Sequence, residues 1–190
     1  MRTKFDPEKH HRRSIRLKKY DYSQPGGYFI TIVTYQRDCL FGEIIGSEMQ
    51  LNDFGCIVDE CWRAIPDHFP NVELGAYVVM PNHVHGIIVI HAGMAPNSAP
   101  SVGAQHAAPL QKPNVKPGSL GAIVRSFKSA VTHRIGREVN ATGIWQRNYY
   151  EHVIRNHEDW DRIHRYIESN PSLWAEDEEN PVGAQYIAPM

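Results

Sequence analysis

From Tyr77 to Ile90 the chain reads Tyr-Val-Val-Met-Pro-Asn-His-Val-His-Gly-Ile-Ile-Val-Ile, two apolar runs parted only by Pro81-Asn82. So short a break leaves no room for a crossover, so the two runs are expected to pair as antiparallel strands over 72–80 and 83–90. The second strand opens with His-Val-His. Alternate residues of a strand share a face, so His83 and His85 point the same way and Val84 points into the core. Two neighbouring imidazoles can hold a divalent metal. The alternative is two polar residues on the solvated face of a half-buried strand.

A second stretch, far down the chain, offers what such a metal site lacks. Tyr166-Ile167-Glu168-Ser169-Asn170-Pro171 closes a helical pattern covering about 158–170, with Trp160, Ile163 and Ile167 as its apolar contacts. Tyr166 and Asn170 are one turn apart, on one helix face and roughly 6 Å apart along the axis. Pro171 stops the helix. A phenol and a carboxamide so placed could bring a nucleophile and a third oxygen ligand to one metal. A core aromatic and a plain helix-end residue are the alternative.

The 190 residues fit one domain able to bury its own core. The net charge of -1 excludes a uniformly basic nucleic-acid binder, but the charge is uneven. Residues 1–24 form a basic arm holding Arg12, Arg13, Arg16, Lys18 and Lys19, and basic side chains neutralise phosphates with little regard to sequence. Residues 175–190 form an acidic, low-complexity tail, with Glu176 to Glu179 expected to be disordered. Cys39, Cys56 and Cys61 show no CxxC spacing, which fits reduced thiols in the cytoplasm. No signal peptide or apolar run of transmembrane length is visible, so no membrane partner is expected.

Between arm and tail, a domain over 25–174 follows. Tyr28 to Tyr35 is β-branched and aromatic and reads as a central strand. Glu43 to Leu51 is ambiguous between a short strand and a turn. Asn52 or Asp53 can cap a helix running to about Asp67. Residues 91–117 are rich in Gly, Ala, Pro, Ser and Asn and read as a flexible surface insertion. Ser119 to about Arg137 reads as a helix. Arg125, Lys128 and Arg134 lie off its apolar face, where they could meet DNA or simply solvent. Tyr150 to Arg155 reads as the last strand. The order β-α-β-β-α-β followed by a helix predicts an α+β, ferredoxin-like core with an antiparallel sheet, plus a C-terminal helix carrying the tyrosine.

Val102-Gly103-Ala104-Gln105-His106-Ala107-Ala108-Pro109-Leu110 is nearly repeated as Val182-Gly183-Ala184-Gln185-Tyr186-Ile187-Ala188-Pro189-Met190. Two copies are too few for a solenoid. Each copy can be coded by largely self-complementary DNA, which raises the reading of palindromic insertions translated in frame.

Met80-Pro81-Asn82-His83-Val84-His85, then Ile144 to Arg155, then Tyr166 to Pro171 together resemble the single-tyrosine HUH transposases, and most closely the REP-associated tyrosine transposases. The resemblance runs from about Tyr28 to Trp174. It implies cleavage and rejoining of single-stranded DNA at hairpin or palindromic repeats through a 5′-phosphotyrosine. Tyr166 would be the nucleophile, and His83, His85 and Asn170 would bind Mg or Mn. The basic arm would help to grip the hairpin. Tyr149 and Tyr150 are rival nucleophiles, but neither has an Asn four residues on; Tyr150 and His152 are expected to shape the site. A monomer is favoured over a homodimer. The competing class is a domesticated, non-cleaving repeat-DNA or RNA-binding module on the same fold. A small-substrate metal hydrolase is less favoured, since no carboxylate ligand stands out.

Overall fold

The computed structural model describes Leu17 and residues 20–92, 116–139 and 143–181. In chain order it contains β1 (Gly26–Val33), β2 (Gly42–Ile45), β3 (Glu48–Leu51), α1 (Asp53–Arg63), α2 (Ile65–His68), β4 (Val72–Val79), β5 (His83–Ile90), α3 (Leu120–Val139), β6 (Tyr150–Ile154) and α4 (His157–Ser169). Four strands form one sheet in the order β4-β5-β1-β6, and every neighbouring pair is antiparallel. This is the expected ferredoxin-like α+β core. The ambiguous stretch 43–51 resolves as a separate β2-β3 hairpin. Asn52 caps α1 by accepting from the Gly55 amide at 3.0 Å. The helix expected to reach Asp67 is instead divided at Ala64, and α2 starts afresh with Pro66 in its first turn, where the missing N–H costs nothing.

The sheet carries helices on both faces. On one, Ile30, Ile32, Val84 and Ile88 pack with Trp62 of α1 and Phe127 of α3. On the other, Phe29 and Ile87 pack with Ile163 and Ile167 of α4, and Trp160 closes the edge. The strand period sorts β5 accordingly: Val84 joins the first layer, as expected, and His83 and His85 fall on the α4 side. That face is not solvated: His83 is 0% and His85 3% exposed. Gly86, between the layers' demands, lies under the buried Trp62 indole. A Cβ there would stand 2.3 Å from Trp62 Cζ2, so only glycine lets the helix approach this strand.

The acidic stretch at 176–179 does not trail away. Pro171 opens a short 3₁₀ turn through Glu176, and residues 177–181 continue across the mouth of the His-bearing face. The expected disorder at 176–179 is therefore replaced by a packed strap. The basic arm (Arg12, Arg13, Arg16, Lys18, Lys19), most of the 91–117 insertion and residues 182–190 lie outside the described residues. Among the described residues no helix is long and apolar enough to cross a membrane.

Candidate active site

Register places the site. Thr31 of β1 stands between His85 of β5 and Tyr150 of β6, and Val33 stands opposite His83. The two imidazole centroids are 4.3 Å apart. α4 is begun by Asn156, whose side chain accepts from the Asp159 amide at 2.8 Å. Its buried Ile163 and Ile167 hold the helix on the sheet, which swings Tyr166 over the histidines. The Tyr166 hydroxyl lies 3.2 Å from His85 Nε2. The phenol packs edge-on to Phe29, whose ring stacks on His85. Tyr166 remains 43% exposed.

Each imidazole is oriented from behind. Asn82 Nδ2 donates to the backbone carbonyls of Arg37 (3.0 Å) and Glu179 (2.7 Å). Those two acceptors fix the amide, so Asn82 Oδ1 faces His83 Nδ1 at 2.9 Å and must accept its hydrogen. His83 Nε2 then presents a lone pair. It is buried and has no hydrogen-bond partner, as is Asn170 Oδ1. Thr31 Oγ1 meets His85 Nδ1 at 2.8 Å and holds the second ring in place.

Charge completes the picture. Asn170 Nδ2 donates to Asp177 at 3.0 Å, which draws the strap's carboxylate to the His pair. Ligand atoms of His83, His85 and Asp177 all lie within 4.8 Å of one another, so the three could hold a metal ion. A second tie, Arg37 to Glu179 at 2.8 Å, anchors the strap. Arg37 and Gln36 both have left-handed backbone (φ 61° and 56°), a conformation that costs non-glycine residues energy and here turns Arg37 toward the strap.

Burial drives the ionisation states. It pushes His83 down to about 4, against the opposing pull of Asp177 and Asn170 and with help from Arg37. Burial and the neighbouring His83 push His85 well below its ordinary value. Both rings are therefore neutral at pH 7, the form that binds metal. Burial pushes the Tyr166 phenol up to about 12. Asp177 reinforces this, Asn170 opposes it, and Glu178 and Glu179 add to it.

The fold thus brings together Tyr166, His83, His85 and Asn170, and the Tyr166–His85 contact joins residues 81 positions apart. Tyr150 and His152 share their face; Tyr150 is 40% exposed and lies edge-on to Phe29. His152 is paired with Asp159 at 2.7 Å, and with Arg162 it holds that carboxyl below its ordinary range. Tyr149 packs toward the opposite layer. Arg125 and Lys128 are on α3, across the sheet from the histidines. Arg125 is exposed, but Lys128 is half-buried, lowered to about 8 by burial, and donates to the Gln146 and Asn148 carbonyls. It ties α3 to the approach to β6. Arg134 pairs with Glu60 at 2.6 Å and so joins α3 to α1. Thr31, Asn82 and Asp177 are functional candidates that the sequence reading did not single out. Asn82 lies inside the motif, where the sequence shows it only as part of the break between two strands. Asp177 was hidden in a charge run, and its signal was Trp174 just before it, an aromatic ill-suited to a solvated tail.

No protein-family model matches the chain. A protein of Haemophilus influenzae, itself uncharacterized, is 44% identical over 178 residues, which cover 94% of this chain and 98% of the relative. The two chains belong to one family. Among solved structures, a REP-associated tyrosine transposase bound to a REP hairpin overlays with a TM-score of 0.58 at 21% identity, covering 87% of this chain and 77% of that one. The chain therefore has the fold of a tyrosine transposase. That result agrees with the resemblance carried by Met80 to His85, Ile144 to Arg155 and Tyr166 to Pro171.

Proposed function

We propose that this protein is a metal-dependent transposase and endonuclease acting on single-stranded DNA at hairpins, with Tyr166 as nucleophile. The observation that carries the reading is the 3.2 Å contact between the Tyr166 hydroxyl and His85 Nε2, which sets a phenol at the edge of a buried, neutral His pair.

The residues fit a divalent cation. Two buried acceptors, His83 Nε2 and Asn170 Oδ1, lack any partner, and each such orphan costs about 1–3 kcal/mol unless something satisfies it. His83, His85 and Asp177, with Asn170 beside them, would hold the ion. A nitrogen and oxygen donor set suits Mn²⁺ and accepts Mg²⁺. When bound, the cation would withdraw charge from a non-bridging phosphate oxygen and favour the phenolate.

The protein's own groups do the rest. Phe29 and Ile167 fix the phenol's approach, and Thr31 and Asn82 keep the imidazoles from rotating. The Tyr166 oxygen attacks phosphorus, the P–O3′ bond breaks, and the proton lost by the phenol leaves the 3′ oxygen as a hydroxyl. The strand stays attached through a 5′-phosphotyrosine, so a second 3′-hydroxyl can reverse the step and join new ends with no outside energy source. Tyr150, exposed beside Phe29, shapes the floor on which a base can stack. Nucleophile and His pair come from one chain, which supports action as a monomer.

The test incubates protein, Mn²⁺ or Mg²⁺ and end-labelled hairpin DNA with a single-stranded flank. An SDS-resistant adduct that is absent with Tyr166→Phe supports the reading. Tight binding without nicking or adduct overturns it in favour of a non-cleaving binding module.

A further inference from the structure

The two copies at 102–110 and 182–190 are left unused by this chemistry. In the sequence, the first falls between His91, whose amide closes β5 on the Asn71 carbonyl, and Lys116 ahead of α3; the second follows the exposed Pro181. Added residues are tolerated at such places.

As peptides the copies have no common logic where they differ. His106 becomes Tyr186, and Ala107 becomes Ile187. As DNA they do. Consider an inverted repeat centred between the second and third bases of the codon for residue 106. First bases then oppose first bases: Val102 with Gln111, Gly103 with Leu110, Ala104 with Pro109, Gln105 with Ala108, His106 with Ala107. Every one of these pairs can be G·C, and for nearly all of them the amino acid leaves no other first base. Second bases oppose third bases, which codon degeneracy leaves free to match. GTAGGGGCGCAGCATGCTGCGCCCCTAC encodes the first copy and is its own reverse complement. In the second copy Tyr186 needs T in the first position and Ile187 needs A. Ile187 also needs T in its second position, which faces the third base of Gln185. Two adjacent replacements thus amount to two compensated base-pair changes, C·G to T·A and G·C to A·T. GGGCGCAATATATTGCGCCC encodes its centre, again self-complementary; only Met190 breaks the outer stem. The differences between the copies are those that a constraint on base pairing, not on side chains, would leave.

We propose that these segments are two translated copies of one inverted-repeat element lodged in this protein's own gene, and that the hairpin this element forms, with a GGGCGCA/TGCGCCC stem, is the DNA the protein recognises. The proposal rests on the hairpin-nuclease reading and names its substrate. A G-rich stem offers paired acceptors to arginine in the major groove, so a protein can tell it from a stem of the same composition in another order.

The first measurement reads the gene. Gln105 as CAG, Ala107 as GCT, Gln185 as CAA and Ile187 as ATT are expected; codons that unpair the stem overturn the proposal. The second uses the full chain with GGGGCGCAGCATGCTGCGCCCC, folded as a hairpin, against a hairpin of equal length and composition with its stem order scrambled. Binding at least ~10-fold tighter to the former is expected, a low bar for specific over non-specific recognition. Equal affinity overturns the substrate assignment, even if covalent adducts form on both. Preferred binding with no adduct on either keeps the assignment and removes the cutting reading instead.

Discussion

Replacing Gly86 by alanine tests how the core positions the site. The new methyl would lie 2.3 Å from Trp62 Cζ2 and 2.7 Å from Cη2, where carbon atoms in contact prefer about 3.5–4.0 Å. The indole must retreat by more than 1 Å, roughly the shortfall from that contact distance. It has nowhere to go: Trp62 is 0% exposed, stacked on Tyr77 at 5.7 Å and edge-on to Phe127 at 5.3 Å. Overpacking a dense core costs about 1–3 kcal/mol, and a clash with an immobile ring belongs at the upper end. For a domain of this size about 3 kcal/mol lowers Tm by roughly 6–12 °C. Strand β5 would share the strain, and a shift of about 1 Å at His85 would cost on the order of 10²-fold in adduct formation. Thermal unfolding of Gly86→Ala, Trp62→Leu and the double variant measures this. The double variant should lose clearly less than the sum of the two singles, because the second change removes the clash. A Gly86→Ala protein as stable as wild type, within about 0.5 kcal/mol, refutes the packing argument.

Other outcomes follow from the same geometry. Asp177→Asn should weaken Mn²⁺ binding at least ~10-fold by titration calorimetry, and more than Asn170→Ala does, because it removes the site's carboxylate charge; unchanged affinity would exclude Asp177 as a ligand. The metal-free protein should lose stability on acidification. His83 and His85 have folded values below the ~6.5 of the unfolded chain, so the unfolded state takes up the protons; stability is whole above about pH 6.5 and falls toward pH 4. Tm read between pH 7 and 5, before most carboxylates titrate, should fall for wild type and stay flatter for His83→Gln; a level wild-type profile contradicts the burial argument. Asn156→Ala should cost about 1 kcal/mol by loss of the α4 cap, seen as a lower denaturation midpoint.

Much of this arrangement was legible in the residues, for reasons that can be named. The Pro81-Asn82 break forced the β4-β5 hairpin, and strand alternation put Val84 in one layer and the His pair in the other. Helical spacing put Tyr166 and Asn170 on one turn, while Ile163 and Ile167 supplied the stripe that docks it. What periodicity could not show was the second layer above the histidines, because a strand's pattern does not say whether its polar face is covered. Nor could it show Asp177: a run of acids reads as a solvated tail until Pro171 and Trp174 turn it back onto the sheet. Lys128 and Arg134 read as open cations on a helix surface. Only tertiary structure supplies their partners, the Gln146 and Asn148 carbonyls and the Glu60 carboxylate.

The most direct test of the central claim maps the covalent adduct. Hairpin DNA carrying a labelled phosphate is incubated with the protein and Mn²⁺, the product is digested with nuclease and trypsin, and the labelled peptide is sequenced by mass spectrometry. The account predicts a nucleotide on the peptide that begins at Tyr166, released by cleavage after Arg165, and attached to that first residue. Label on the peptide from Asn148 to Arg155, which holds the rival tyrosines, would contradict it, as would label on no peptide at all.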